Sequence, residues 1–105
     1  MTKLQKTLGV LALLLGMGHI VYGLVVLKTY NLDLVWFIGA GLAMIFAALT
    51  NLSPSASLKM RLFQNAVMTL YTLLILGVLI APQVILGALL FGGLLIVSAL
   101  QALRK

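Results

Sequence analysis

The chain has no cysteine and a single acidic residue, Asp33. Without thiols, disulfides, thiolate metal sites and cysteine redox chemistry are excluded. No paired carboxylates, Ser-His-Asp set, metal cluster or phosphate-cradling glycine loop can be assembled from these residues. The chain is therefore read as non-enzymatic and without a metal. Charge of either sign is scarce, at 8% of residues, where a soluble domain has about a quarter. A globule of 105 residues needs a polar skin that so little charge cannot supply. Proline is rare too, and its two occurrences, Pro54 and Pro82, fall where long apolar runs are interrupted.

What the sequence has in abundance is apolar surface. Hydrophobic residues make up 64% of it, against about 45–50% in an ordinary globular protein. The surplus is expected to face lipid. The positive balance of +6 comes from Lys and Arg at the ends of apolar runs, with no aromatic interleaving that would stack bases. It reads as a topology signal and a contact to anionic headgroups, and no nucleic-acid partner is expected. Lys3 and Lys6 followed by an apolar stretch resemble the start of a signal peptide. The apolar run continues to Leu27, however, long enough to span, so it is read as the first membrane helix.

A bilayer core about 30 Å thick needs roughly 20 apolar residues in helical form. Four stretches qualify, at about 8–27, 34–52, 62–81 and 83–103, within a single transmembrane domain covering 1–105. The third break carries no charge and rests on Ala81-Pro82-Gln83, because proline disfavours helix before it and suits the first turn after it. A tight hairpin between helices 3 and 4 follows. Lys3, Lys6, Lys59, Arg61, Arg104 and Lys105 then share one side, and Lys28 stands alone on the other. This bias places both termini in the cytoplasm. The expected fold is all-α, an integral membrane four-helix bundle, N-in/C-in, in the bacterial inner (cytoplasmic) membrane.

Small residues at helical spacing mark packing faces, since close backbone approach drives association in lipid. Helix 1 offers Gly9, Ala12, Gly16, His19 and Gly23; helix 2 offers Gly39, Ala43 and Ala47; helix 4 offers Ala88, Gly92 and Ala99. Helix 3 aligns Asn65, Thr69 and Thr72, for which packing hydrogen bonds are expected. His19 is the sole ionisable side chain well inside a span, and such residues raise a functional question by default. Counting depth from the span ends sets it near the midplane, level with Gly41, Tyr71, Thr72, Gly92 and Gly93. It is expected to point inward, neutral, hydrogen-bonded to Thr72 or Tyr71. No cofactor is expected, haem held through His19 being the one left open. Trp36, Tyr30 and Phe37 suit an aromatic belt at the outer interface.

Length and four spans resemble the small multidrug resistance transporters. Their coupling glutamate in the first span has no counterpart here, where His19 would have to replace it. A closer resemblance lies in Gly16-x-Gly18-His19, Trp36-Phe37-Ile38-Gly39-Ala40-Gly41-Leu42 and Leu49-Thr50-Asn51-Leu52. These resemble small bacterial four-span membrane proteins, loosely DoxX-like, over the first half of the chain. That resemblance implies the fold and no particular activity. Three functional readings stand: association as an accessory subunit or homo-oligomer; a carrier or channel for a small solute narrowing near His19; and a haem- or quinone-binding component. The expected partners are the lipid bilayer and either the chain itself or another membrane protein.

Overall fold

The computed structural model describes residues 2–104. They form four helices in chain order: α1 Lys3–Val26, α2 Leu32–Leu52, α3 Leu58–Leu76 and α4 Pro82–Leu103. Local chemistry sets each start. Side-chain oxygens of Thr2, Asn31 and Ser57 accept from the backbone N–H three residues on, at 3.1, 3.0 and 3.1 Å. Each satisfies one of the orphan donors of a first turn. α4 has no side-chain cap and begins instead on Pro82, whose missing N–H costs nothing there.

Three boundaries differ from the sequence reading by four residues or more. α3 begins at Leu58 rather than at 62, because the Ser57 cap carries the helix through its polar first turn. α1 begins at Lys3 rather than at 8, because the Thr2 cap carries the helix through its polar first turn. α3 ends at Leu76 rather than at 81, on Gly77, the residue in that run with the weakest helix preference. The connection 77–81 is therefore a five-residue apolar turn rather than a tight hairpin at proline, with Val78 and Ile80 fully displayed. No change of charge marks that end, so hydropathy alone could not find it.

α1 packs chiefly on α2 and α3 chiefly on α4; α1 also meets α4, and the α2–α3 seam is the thinnest. The molecule is thus two hairpins laid side by side, 48 Å along its longest axis. α1 and α2 approach closely at Gly16 and Gly41. A Cβ on either would lie 3.0 Å from the other's carbonyl oxygen, so backbone sits on backbone there. The core is Ala12, Met44, Ala47, Ala48, Met68, Phe91 and Leu94. Around it the polarity is reversed from that of a soluble protein. Phe46, Phe63, Leu70, Leu74, Leu89 and Ile96 are exposed, whereas Gln5, Asn51, Asn65 and Ser98 are buried. α1, α2 and α4 are each long and apolar enough to cross a membrane. α3 is shorter, at 19 residues, and holds Lys59, Arg61, Gln64 and Asn65 in its first half.

Candidate functional site

The two ends of the bundle are built differently. The basal end carries Thr2, the 53–57 connection and Arg104; the apical end carries the connections 27–31 and 77–81.

At the basal end one hydrogen-bonded cluster ties all four helices. The amides of Asn51 and Asn65 pair reciprocally, Asn51 Nδ2 donating to Asn65 Oδ1 at 2.7 Å and Asn65 Nδ2 to Asn51 Oδ1 at 2.8 Å. Asn51 Nδ2 also donates to the Ala47 carbonyl at 2.8 Å, and Asn65 Nδ2 to Ser98 Oγ at 3.0 Å. Ser98 Oγ donates in turn to the Leu94 carbonyl at 2.8 Å. Gln5 Nε2 reaches the Asn51 carbonyl at 3.0 Å, while Gln5 Oε1 accepts from Gln101 Nε2 at 2.7 Å. Every amide proton so used would otherwise be stranded in an apolar core, where an unmade bond costs about 1–3 kcal/mol. The cluster closes this end.

The apical half is looser and holds His19. Its imidazole stacks on Phe37, with ring centroids 3.7 Å apart and planes 8° from parallel. Nε2 is enclosed and meets no hydrogen-bond partner. Two hollows adjoin the ring. One is a cleft of about 310 Å³ lined by Leu14, Gly18, Tyr22 and Phe37. The other, about 50 Å³, lies among all four helices, with Met44, Tyr71, Thr72 and Gly87 in its wall. Leu15, His19 and Gln83 border both hollows, so they form the partition between them. Neither wall contains a charged side chain.

The residues singled out from the sequence fall as follows. Tyr71 and Thr72 do share a cavity wall with His19, but the expected hydrogen bond is absent. Thr72 Oγ1 instead donates to the Thr69 carbonyl of its own helix at 2.9 Å, and Tyr71 is 41% exposed. A helical threonine satisfies its hydroxyl most readily on the preceding turn, which leaves nothing aimed at the imidazole. His19 also lies on the apical side of the middle of α1, since the helix begins five residues before the assumed start at 8. For the same reason its neighbours on α4 are Gln83, Val84 and Gly87 rather than Gly92.

Gly9, Gly16 and Gly23 are buried, against Leu52, Gly41 and Phe37 of α2 in turn. Ala43 is partly buried against the core. Gly39 and Gly92 do not pack: a Cβ on either would meet nothing within 4 Å. The faces actually used are Gly41 on α2 and Gly93 on α4, the latter over Leu8. Gln5, Ser98 and Gln101 were not identified from the sequence at all. Their signal was faint but present, as polar residues one turn inside apolar helices.

Among the described residues no group of three or more His, Cys, Asp or Glu comes together. Compared with family models, curated proteins and solved structures, the chain matches none of them.

Proposed function

We propose that the chain is a small non-enzymatic, multi-pass protein of the bacterial inner membrane. In this reading it crosses four times, has both termini in the cytoplasm, and holds a small molecule at His19. The apolar exterior around buried amides supports the membrane setting, as does the six-to-one division of Lys and Arg. The 48 Å length suits a bilayer of about 40–45 Å including headgroups. The observation that carries the binding role is the His19 partition between cleft and cavity. Apolar walls with a few hydrogen-bonding groups are the usual make-up of a ligand site. The filled basal end favours a binding role over an open channel, since Phe91, Leu94 and the amide cluster occupy the path there.

Two measurements test this reading. Cysteines replacing Thr2 and Asn31 should label from opposite sides of intact cells, and labelling of both from outside overturns the topology. Native mass spectrometry of protein released in mild detergent should show a bound small molecule in the wild type that is lost in Gly18→Leu. An adduct-free wild type overturns the binding role.

Association with a second copy is a further reading, favoured by Gly39 and Gly92. Both glycines leave backbone uncovered on the outside of the bundle, where lipid-facing positions are otherwise bulky. The mass of the protein in detergent tests it: a dimer in the wild type that Gly92→Leu converts to monomer supports it, and a monomeric wild type removes it.

A further inference from the structure

Where α2 passes into α3 at the basal end, an open groove of about 620 Å³ is lined by Phe46, Leu49, Thr50, Ser53, Ser55 and Ser57. Its serines belong to the 53–57 connection and its large apolar side chains to the helices. Two hydroxyl protons there have no acceptor among the described residues. Ser57 Oγ accepts from the Met60 N–H at 3.1 Å and keeps its own proton free. Ser53 and Ser55 share a single hydrogen bond at 3.0 Å, which uses one of their two protons.

Charge at this end is of one sign. Lys3, Lys6, Lys59, Arg61 and Arg104 stand there, while Asp33, the only acid, opens α2 at the opposite end. Lys59 and Arg61 flank Met60, which borders the groove, and Lys59 is exposed. Long basic side chains at the end of a span carry their charged tips to the headgroup level. Each such contact favours an anionic lipid by about fivefold.

Toward the apical side the hydroxyls give way to apolar surface. The α2–α3 seam is thin, and a hollow of about 240 Å³ lies in it, bordered by Ala43, Phe46, Phe63 and Val67. Phe46 and Phe63 are both exposed. Proton donors and basic tips at one level, with an apolar furrow leading from it into the bilayer, follow the order of parts in a phospholipid. A neutral amphiphile would leave the basic tips without a counter-charge, and a free inorganic anion would leave the furrow bare.

Resting on the membrane setting and orientation proposed above, we propose that this groove is a binding site for an anionic phospholipid of the cytoplasmic leaflet. Its phosphate meets Ser55, Ser57 and Lys59, and one acyl chain lies along the α2–α3 seam.

Trp36 is the only tryptophan, so Trp36→Phe combined with Phe46→Trp moves the sole indole into the groove wall. Both positions are well exposed, and the fold has room for the exchange. Dibrominated phosphatidylglycerol or dibrominated phosphatidylcholine is then titrated into phosphatidylcholine vesicles holding the protein, the bromines quenching a neighbouring indole. The reporter at 46 should be half-quenched at an about fivefold lower fraction of the anionic lipid. Leu49→Trp, a second reporter on the same wall, should show the same preference. Ile96→Trp, exposed on α4 outside the groove, should be quenched alike by both lipids. Ser55→Glu, at an exposed position, sets a carboxylate against the phosphate and should abolish the preference. Thr7→Glu makes the same change of net charge on an exposed face of α1 and should leave it intact. Inorganic phosphate in excess should not compete.

The proposal is overturned if neither groove reporter prefers the anionic lipid, if Ile96→Trp shows the same preference, or if Ser55→Glu and Thr7→Glu act alike. Competition by inorganic phosphate overturns it too, since the site then recognises an anion and no lipid. Normal quenching without preference removes this site and leaves the membrane setting standing. Reporters that neither brominated lipid quenches remove the membrane setting itself.

Discussion

The basal and apical halves use the same kinds of residue to different ends. Asn51, Asn65 and Ser98 are buried at the basal end with their side-chain polar atoms paired within a few turns of one another. His19, in the apical half, has an enclosed nitrogen with no partner, and at the basal end Arg61 Nε, Gln64 Oε1 and Gln101 Oε1 are likewise enclosed and unpartnered. The basal core is filled by Phe91 and Leu94, whereas the apical half keeps two hollows and a bare apolar turn at 77–81. A polar group inside an apolar bundle can lock helices together or wait for a ligand. What decides is whether the neighbouring helix offers a complementary group at the same depth.

Substitutions can break this comparison in a definite order. The largest loss is expected from Gly16→Leu, because the α1–α2 backbone contact at Gly41 has no room for a side chain. Overpacking of that kind costs about 1–3 kcal/mol or more, read as a lowered unfolding midpoint in detergent. Gly18→Leu, two residues along the same helix, should leave the midpoint nearly unchanged. Equal losses at the two would mean that α1 presents a different face to α2.

Next comes Asn65→Leu, which strands the Asn51 amide and removes the donor to Ser98. A loss of about 1–2 kcal/mol is expected, large for a hydrogen-bonding group between membrane helices because several partners are left unpaired together. His19→Phe removes a nitrogen that bonds to nothing and keeps a ring against Phe37. It should be neutral or slightly stabilising. A large loss from His19→Phe would show that the imidazole locks the apical half as the amides lock the basal one.

A smaller effect, of opposite sign, is expected at the end of α1. Lys28 holds φ 51° directly after the helix, a left-handed conformation usually given to glycine. Lys28→Gly should raise the midpoint by an amount worth about 0.5–1 kcal/mol, the relief of Cβ crowding less the added freedom of the unfolded chain. No gain would indicate that the lysine side chain contributes a compensating contact at the apical surface.

The number of helices was legible because apolar runs long enough to span are rare by chance, and the breaks between the first three carry polar residues. The last break was legible only through Pro82, whose effect on the residue before it is local. Where α3 stops was not, since 77–81 is as apolar as the helix and only Gly77 hinted at the end. The small-residue stripe of α1 was readable because helical spacing puts Gly9, Gly16 and Gly23 on one face. The partner faces of α2 and α4 were not. Several glycines compete there, and the choice of Gly41 over Gly39, or of Gly93 over Gly92, is a rotation of the helix that no local rule sets.

By itself, then, the sequence determined the apolar character, the number of apolar runs and the asymmetry of charge. These depend on composition and on interactions within a few residues. Only the tertiary structure decided that Asn51 would meet Asn65 while His19 would meet Phe37. Those pairings depend on the relative depth and rotation of whole helices, and an error of five residues in the start of α1 shifts the inferred depth by about 7.5 Å. A side chain's partner in a bundle is set by that register, and the register is a property of all four helices at once.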